Sequence, residues 1–107
     1  MELNRNNWGY LFVHIVHIQC VSLGLYRNQL VCFVNNGHTF IWSLEEIDNF
    51  EFGTHLKHKS LEYFEDDWRY IWSLLESVSM DINSKCASYL LLRIIEEKVL
   101  MLGWSEV

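Results

Sequence analysis

The chain has no proline, only five glycines, three cysteines and eight Lys and Arg among 107 residues. Without proline, neither a rigid X-Pro linker nor a slow cis–trans folding step is expected. The few glycines form no phosphate-cradling loop and no Rossmann fingerprint, and neither H-E-x-x-H nor G-x-S-x-G occurs. No catalytic residue is therefore assigned, and no cofactor is expected. Cys20, Cys32 and Cys86 are odd in number and lack a C-x-x-C spacing, which fits reduced thiols in a cytoplasmic protein better than a secreted disulfide framework. All three are expected to act as small core hydrophobes. The shortage of cations leaves a net charge of −6. Nucleic acid and anionic membrane both require a cationic face, so neither is expected as a partner; a basic protein is.

What the chain has in quantity is apolar surface. Half its residues are hydrophobic and sixteen are Phe, Trp or Tyr, enough for one domain over residues 1–107 with a real core. The organising stretch is residues 60–79. Leu61, Phe64, Trp68, Ile71, Trp72, Leu75 and Val78 recur there at steps of three and four and make one face of a helix. Ser60 is its expected N-cap, and Glu62, Glu65, Asp66 and Asp67 crowd its first turns, where the helix dipole favours negative charge. Glu62, Asp66, Arg69, Ser73 and Glu76 fall on the opposite, wet face.

Residues 6–26 carry no charged side chain. Trp8 to Leu25 is about long enough to span a bilayer, but His14, His17, Gln19, Ser22 and two glycines interrupt it, so burial in a core is the better explanation. Val13, Ile15, Val16, Ile18 and Val21 are β-branched with apolar residues on both alternating faces, which favours a central strand covered on two sides. Trp8, Leu11, Phe12, Ile15 and Val16 also make a helical stripe, so a helix stays open. Arg27-Asn28 offers a turn. Asn36-Gly37 marks a hairpin; as a two-residue loop it sets Phe33 opposite Phe40 and Val31 opposite Trp42, with Cys32 and Ile41 on the other face and both faces covered. Ser43-Leu44-Glu45-Glu46 has capping-box spacing and predicts a short helix to about Phe50, closed by Gly53. A last helix starts near Asn83 or Ser84 with Leu90, Leu91, Ile94, Ile95, Val99 and Leu102 inward, and Gly103 and Trp104 close it. Strands first and helices after imply an α+β fold: a small antiparallel β-sheet in the N-terminal half packed against a C-terminal helical hairpin.

Three constellations carry possible chemistry. His14-x-x-His17-x-x-Cys20 holds metal-ligand types, but a strand turns His17 away from the others and a helix fans all three apart, so no metal site is assigned. His55-x-x-His58 sits in a Lys-flanked connection that solvation explains equally well. The third is electrostatic. Between residues 45 and 67 lie Glu45, Glu46, Asp48, Glu51, Glu62, Glu65, Asp66 and Asp67 against Lys57 and Lys59, which accounts for the whole net charge. Tyr63 and Tyr70 flank Asp66 and Asp67 on the long helix, and tyrosine beside carboxylate at an exposed edge is the composition of a hot spot for a cationic protein. A purely solubilising acidic face is the plainer alternative. The expected partner-binding residues are Glu45, Glu46, Asp48, Glu62, Tyr63, Asp66, Asp67 and Tyr70.

The strand-then-helix run HTFIWSLEEIDNFEF, residues 38–52, in a chain of this acidity and aromatic content resembles the small immunity proteins of bacterial polymorphic toxin systems, including contact-dependent growth inhibition. That resemblance implies a cytoplasmic inhibitor that binds a cognate toxin domain, often a basic nuclease, and blocks its active site or substrate groove. It assigns no residue by position. The second reading is an adaptor or regulatory subunit of another assembly, and the third a small enzyme or metal protein.

Overall fold

In the computed structural model, residues 3–34, 36–49, 62–79, 81–82 and 85–101 are described, without the side chains of residues 48 and 49. The elements are α1 (Arg5–His17), β1 (Cys20–Tyr26), β2 (Gln29–Val34), β3 (Thr39–Ser43), α2 (Leu44–Asn49), α3 (Glu65–Val78) and α4 (Lys85–Met101). The strands form one antiparallel sheet in the order β1-β2-β3, and the helices pack against it, so the α+β architecture read from the sequence is the observed one.

The strand expected across residues 8–18 is a helix instead. Trp8, Gly9, Leu11, Phe12, Val13, Ile15 and Val16 are all buried, because α1 touches α2, α3, α4 and β1. A helix enclosed on so many sides is apolar nearly all round, which erases the periodicity that would identify it. The Asn4 side chain accepts a hydrogen bond from the Asn7 backbone N–H and caps the start. At the other end Gln19 takes φ 55°, and the chain leaves the helix for β1.

Arg27 and Asn28, at φ 49° and 63°, form the two-residue turn between β1 and β2, with Tyr26 paired to Gln29. Two positive φ values are the mark of a type I′ turn, whose twist matches that of the strands. The second hairpin differs from expectation by one residue. Phe33 pairs with Thr39, Cys32 with Phe40, Val31 with Ile41 and Leu30 with Trp42. The Val34 N–H donates to the His38 carbonyl and the Gly37 N–H to the Val34 carbonyl, so the loop has three residues and ends in Gly37 at φ +86°. The extra loop residue moves the register by one, and a one-residue slip exchanges the faces. Leu30 and Cys32 are buried, with Phe40 and Trp42 packed on the core beside them. Phe33 and Ile41 point outward at 51% and 56% exposure, so the sheet is covered on one face rather than two.

Cys20 and Cys32 are joined by a disulfide, with Cα atoms 6.1 Å apart, within the usual range for such a bond. The expected reduced pair is thus corrected. A bulge between Cys20 and Ser22 is the cause: it breaks the alternation of β1 and turns Cys20 to the core side, where Cys32 already points. Cys86 is a free thiol and exposed, not a core residue, because it falls in the first turn of α4 away from the buried stripe.

The expected stripe is buried over Phe64, which caps the start of α3, and over Trp68, Ile71, Trp72 and Leu75 within it, but its last member, Val78, is 61% exposed at the helix end. Phe12 stacks on Trp68 at 6.0 Å and meets Phe64 edge-on, while Trp68 and Trp72 are 5.6 Å apart. Gly9 is what allows α1 this close: a Cβ there would lie 2.8 Å from Trp68 Nε1. Leu91, Leu92, Ile95 and Val99 line the inner face of α4. Lys98 near the end of α4 pairs with Asp67 near the start of α3 at 2.6 Å, which fixes the two helices as an antiparallel hairpin. Leu44 and Ile47 of α2 face inward as expected. The expected cap Ser60, and Phe50, Gly53, His55, His58, Leu61, Leu102, Gly103 and Trp104, lie outside the described residues.

Candidate functional site

A helix with one apolar face must present its other face to water or to a partner. On α3 that other face is acidic and aromatic. Tyr63, on the helical turn before α3, is 83% exposed and Tyr70 59%, and Glu62 and Asp66 are exposed beside them. The Tyr63 ring leans edge-on against Phe64 at 5.0 Å, so one side of it is braced by the core while the rest meets solvent. Ser73 Oγ donates to the Tyr70 carbonyl, and the exposed row continues through Glu76.

The acids expected to act together divide into three groups. Glu65 pairs with Arg69 at 2.8 Å along the same helix, and Asp67 is half-buried against Lys98, so both serve structural pairs. Glu62 and Asp66 have no ion-pair partner among the described residues and carry the outward charge of this face. Glu45 and Glu46 are exposed on α2, a separate element that rests on α1 and β3; the Asp48 side chain lies outside the described residues. The acidic N-terminus of α3 also complements its own dipole, so these carboxylates stabilise the helix that displays them.

His14, His17 and Cys20 are not arranged as a shared ligand set. His14 is held edge-on between Phe40 at 5.9 Å and Trp42 at 5.7 Å, His17 leans on Phe64, and Cys20 is bonded to Cys32. Among the described residues no three His, Cys, Asp or Glu gather as metal ligands would. Burial, with the like charge of His17 second, holds the His14 imidazole below its ordinary value of 6.5. A groove between β1 and α4 is lined by Leu23, Leu25, Leu30 and Leu92, with Tyr89, Arg93 and Glu96 also on its wall, and is mainly apolar. No helix among the described residues is long and apolar enough to cross a membrane.

No family model, curated protein or solved structure matches this chain. Function must therefore be argued from the site's own chemistry. Sequence reasoning overlooked a second exposed surface, the outer sheet face with Phe33 and Ile41. The signal was present in the three strands, which contain no charged residue at all.

Proposed function

We propose that this protein is an immunity protein that binds a cognate bacterial toxin domain, a basic nuclease, and neutralises it by occupying its cationic groove, without catalysis or a cofactor. One observation carries the reading: Tyr63 and Tyr70 stand in water beside Glu62 and Asp66, while the aromatic residues on the opposite face of α3 are packed away. Exposed rings flanked by carboxylates suit a partner that offers Arg and Lys, since the ring face attracts a cation and the carboxylate pairs with it. A nuclease must present cations to grip the phosphate backbone, and an acidic helix competes for the same groups. The cytoplasm is the compartment this reading implies. Cytoplasmic thiols work against a bond such as Cys20–Cys32, so the disulfide itself lends that compartment no support.

The test is capture from the native organism with tagged wild type, Asp66→Lys and Tyr63→Ala/Tyr70→Ala. Wild type should retain a basic protein whose nucleic-acid cleavage it suppresses, and both variants should lose it. Equal capture by all three, or a captured partner that is acidic and inert, would remove the case for this face.

A further inference from the structure

β1 is an edge strand of the sheet, and α4 runs antiparallel beside it. Val21 shares one end of the groove between them with Val99 and Leu100, and Leu25 shares the other with Tyr89 and Leu92. The turn at Arg27-Asn28 fixes which backbone groups of β1 are used. Tyr26 and Gln29 flank it and exchange hydrogen bonds; so do Gly24 with Val31 and Ser22 with Phe33, since such pairs alternate along an antiparallel ladder. The N–H and C=O groups of Leu23 and Leu25 therefore point away from β2, along the open edge. Among the described residues neither makes a backbone hydrogen bond outside the sheet. Residues 20–26 contain no charge and no proline, the usual guards of an exposed edge, and the bulge at the Cys20 end leaves Leu23 to Leu25 regular. Beside this edge lies a hollow of about 120 Å³ over Leu30 and Leu92. Cavities of about this size take one benzene-sized group. On the α4 wall, Arg93 and Glu96 are exposed, and neither has an ion-pair partner among the described residues.

These three features select different parts of one ligand. The edge N–H and C=O groups match another backbone, which a lipid or a small apolar molecule lacks. The hollow takes a single apolar side chain. Arg93 and Glu96 together ask for one charge of each sign, which disfavours a polyanion; β1 of a second copy carries no charge to meet them. We infer that the β1–α4 groove binds an extended peptide segment of a partner protein, which adds to β1 as a fourth strand and sets an acidic, an apolar and a basic side chain at alternate positions against α4. Antiparallel pairing is the more stable ladder, so the segment runs from Leu25 toward Leu23. Helical side chains lean toward the helix N-terminus, so Arg93 reaches toward Tyr89 and takes the acid, while Glu96, beside Leu23, takes the base. Alternate residues of a strand stand about 6.7 Å apart, a separation these long side chains can follow. The site does not rest on the reading of the outer face of α3, and either can fail alone.

The test titrates the full chain with a capped peptide, acetyl-Thr-Glu-Thr-Leu-Thr-Lys-Thr-amide, up to about 1 mM, followed by NMR. Binding should saturate, with shifts centred on Leu23, Leu25 and Arg93 and slower exchange of the Leu23 and Leu25 amide protons. The same peptide with Ser in place of Leu should not bind. Arg93→Glu and, separately, Glu96→Lys should each weaken binding about fivefold, the size of one exposed ion pair. Both side chains are exposed, so melting temperatures should stay close to wild type. The double variant Arg93→Glu/Glu96→Lys should prefer the peptide in which Glu and Lys are exchanged. Absence of binding, binding that leaves the Leu23 and Leu25 amides unchanged, or a double variant with unaltered preference overturns the inference. So does a chain that pairs with itself through these same two amides without peptide, since a second copy then holds the edge.

Discussion

Gly9→Ala probes the contact on which the helical core depends. An added Cβ would lie 2.8, 3.0 and 3.1 Å from Nε1, Cε2 and Cδ1 of Trp68, several tenths of an ångström inside ordinary contact. The indole cannot retreat easily, because Phe12 stacks on one side at 6.0 Å and Trp72 lies 5.6 Å away. Helix propensity acts in the opposite direction and favours alanine over a mid-helix glycine by about 1 kcal/mol. Overpacking of a filled core costs about 1–3 kcal/mol, and an overlap with a wedged ring belongs near the upper end. The net expectation is a loss of about 1–2 kcal/mol, or a fall in melting temperature of about 5–15 °C for a domain of this size. Gly24→Ala is the control: nothing lies within 4 Å, and alanine should be neutral or stabilising by about 0.5 kcal/mol. Trp68→Leu should make Gly9→Ala less costly, and a double-mutant cycle measures that coupling. A higher melting temperature for Gly9→Ala would show that propensity alone governs the site and that α1 and α3 do not approach as described.

Three further expectations follow from the corrected fold. Under non-reducing conditions one thiol, Cys86, should react in the native state while Cys20 and Cys32 do not, and reduction should cost about 3 kcal/mol of stability for a loop of this size; three reactive thiols without reductant would exclude the bond. Phe40→Ala should cost about 2 kcal/mol and Ile41→Ala less than about 1 kcal/mol, because Phe40 packs on the core and Ile41 faces out; the reverse order in denaturant melts would restore the two-residue loop and its register. The lowered His14 value means that the unfolded chain takes up its proton first as pH falls, so the stability from neutral His14 is complete above about 6.5 and is lost as pH drops below that value toward the folded one. His14→Phe should flatten that part of a melting-temperature profile between pH 7.5 and 5; an unchanged slope would mean that His14 is not the group responsible.

How much the sequence revealed depended on how one-sided each element is. The apolar stripe and acidic face of α3 were legible because the helix is buried on one side only, and the exposure of Tyr63, Asp66 and Tyr70 followed from the same periodicity. α1 was misread because its neighbours leave almost no polar face; its surviving signals were Asn4 as a cap and the break at Gln19. The hairpin was legible in place but not in register, since Asn36-Gly37 fits both a two-residue turn and the end of a three-residue loop in which Gly37 takes the left-handed position. The Cys20–Cys32 bond was hidden by the bulge that reverses the side on which Cys20 points. Asp67 looked like a free surface acid because its partner Lys98 comes from the next helix, and no local pattern reports such a pairing.

Whether the outer face of α3 binds a cationic partner is decided most directly by association and dissociation rates of the captured protein with wild type, Asp66→Lys, Tyr63→Ala and Tyr70→Ala. Asp66 is chosen over Asp67 because its charge faces outward without an ion-pair partner among the described residues. Charges of this kind act over a Debye length of about 8 Å at physiological salt and set encounter. Asp66→Lys should therefore slow association severalfold, and raising salt should slow the wild type in the same way. An aromatic anchor acts after docking, so each tyrosine variant should leave association nearly unchanged and speed dissociation by about thirtyfold, the equivalent of about 2 kcal/mol. Wild-type rates in all three variants would contradict the assignment of this face as the binding site.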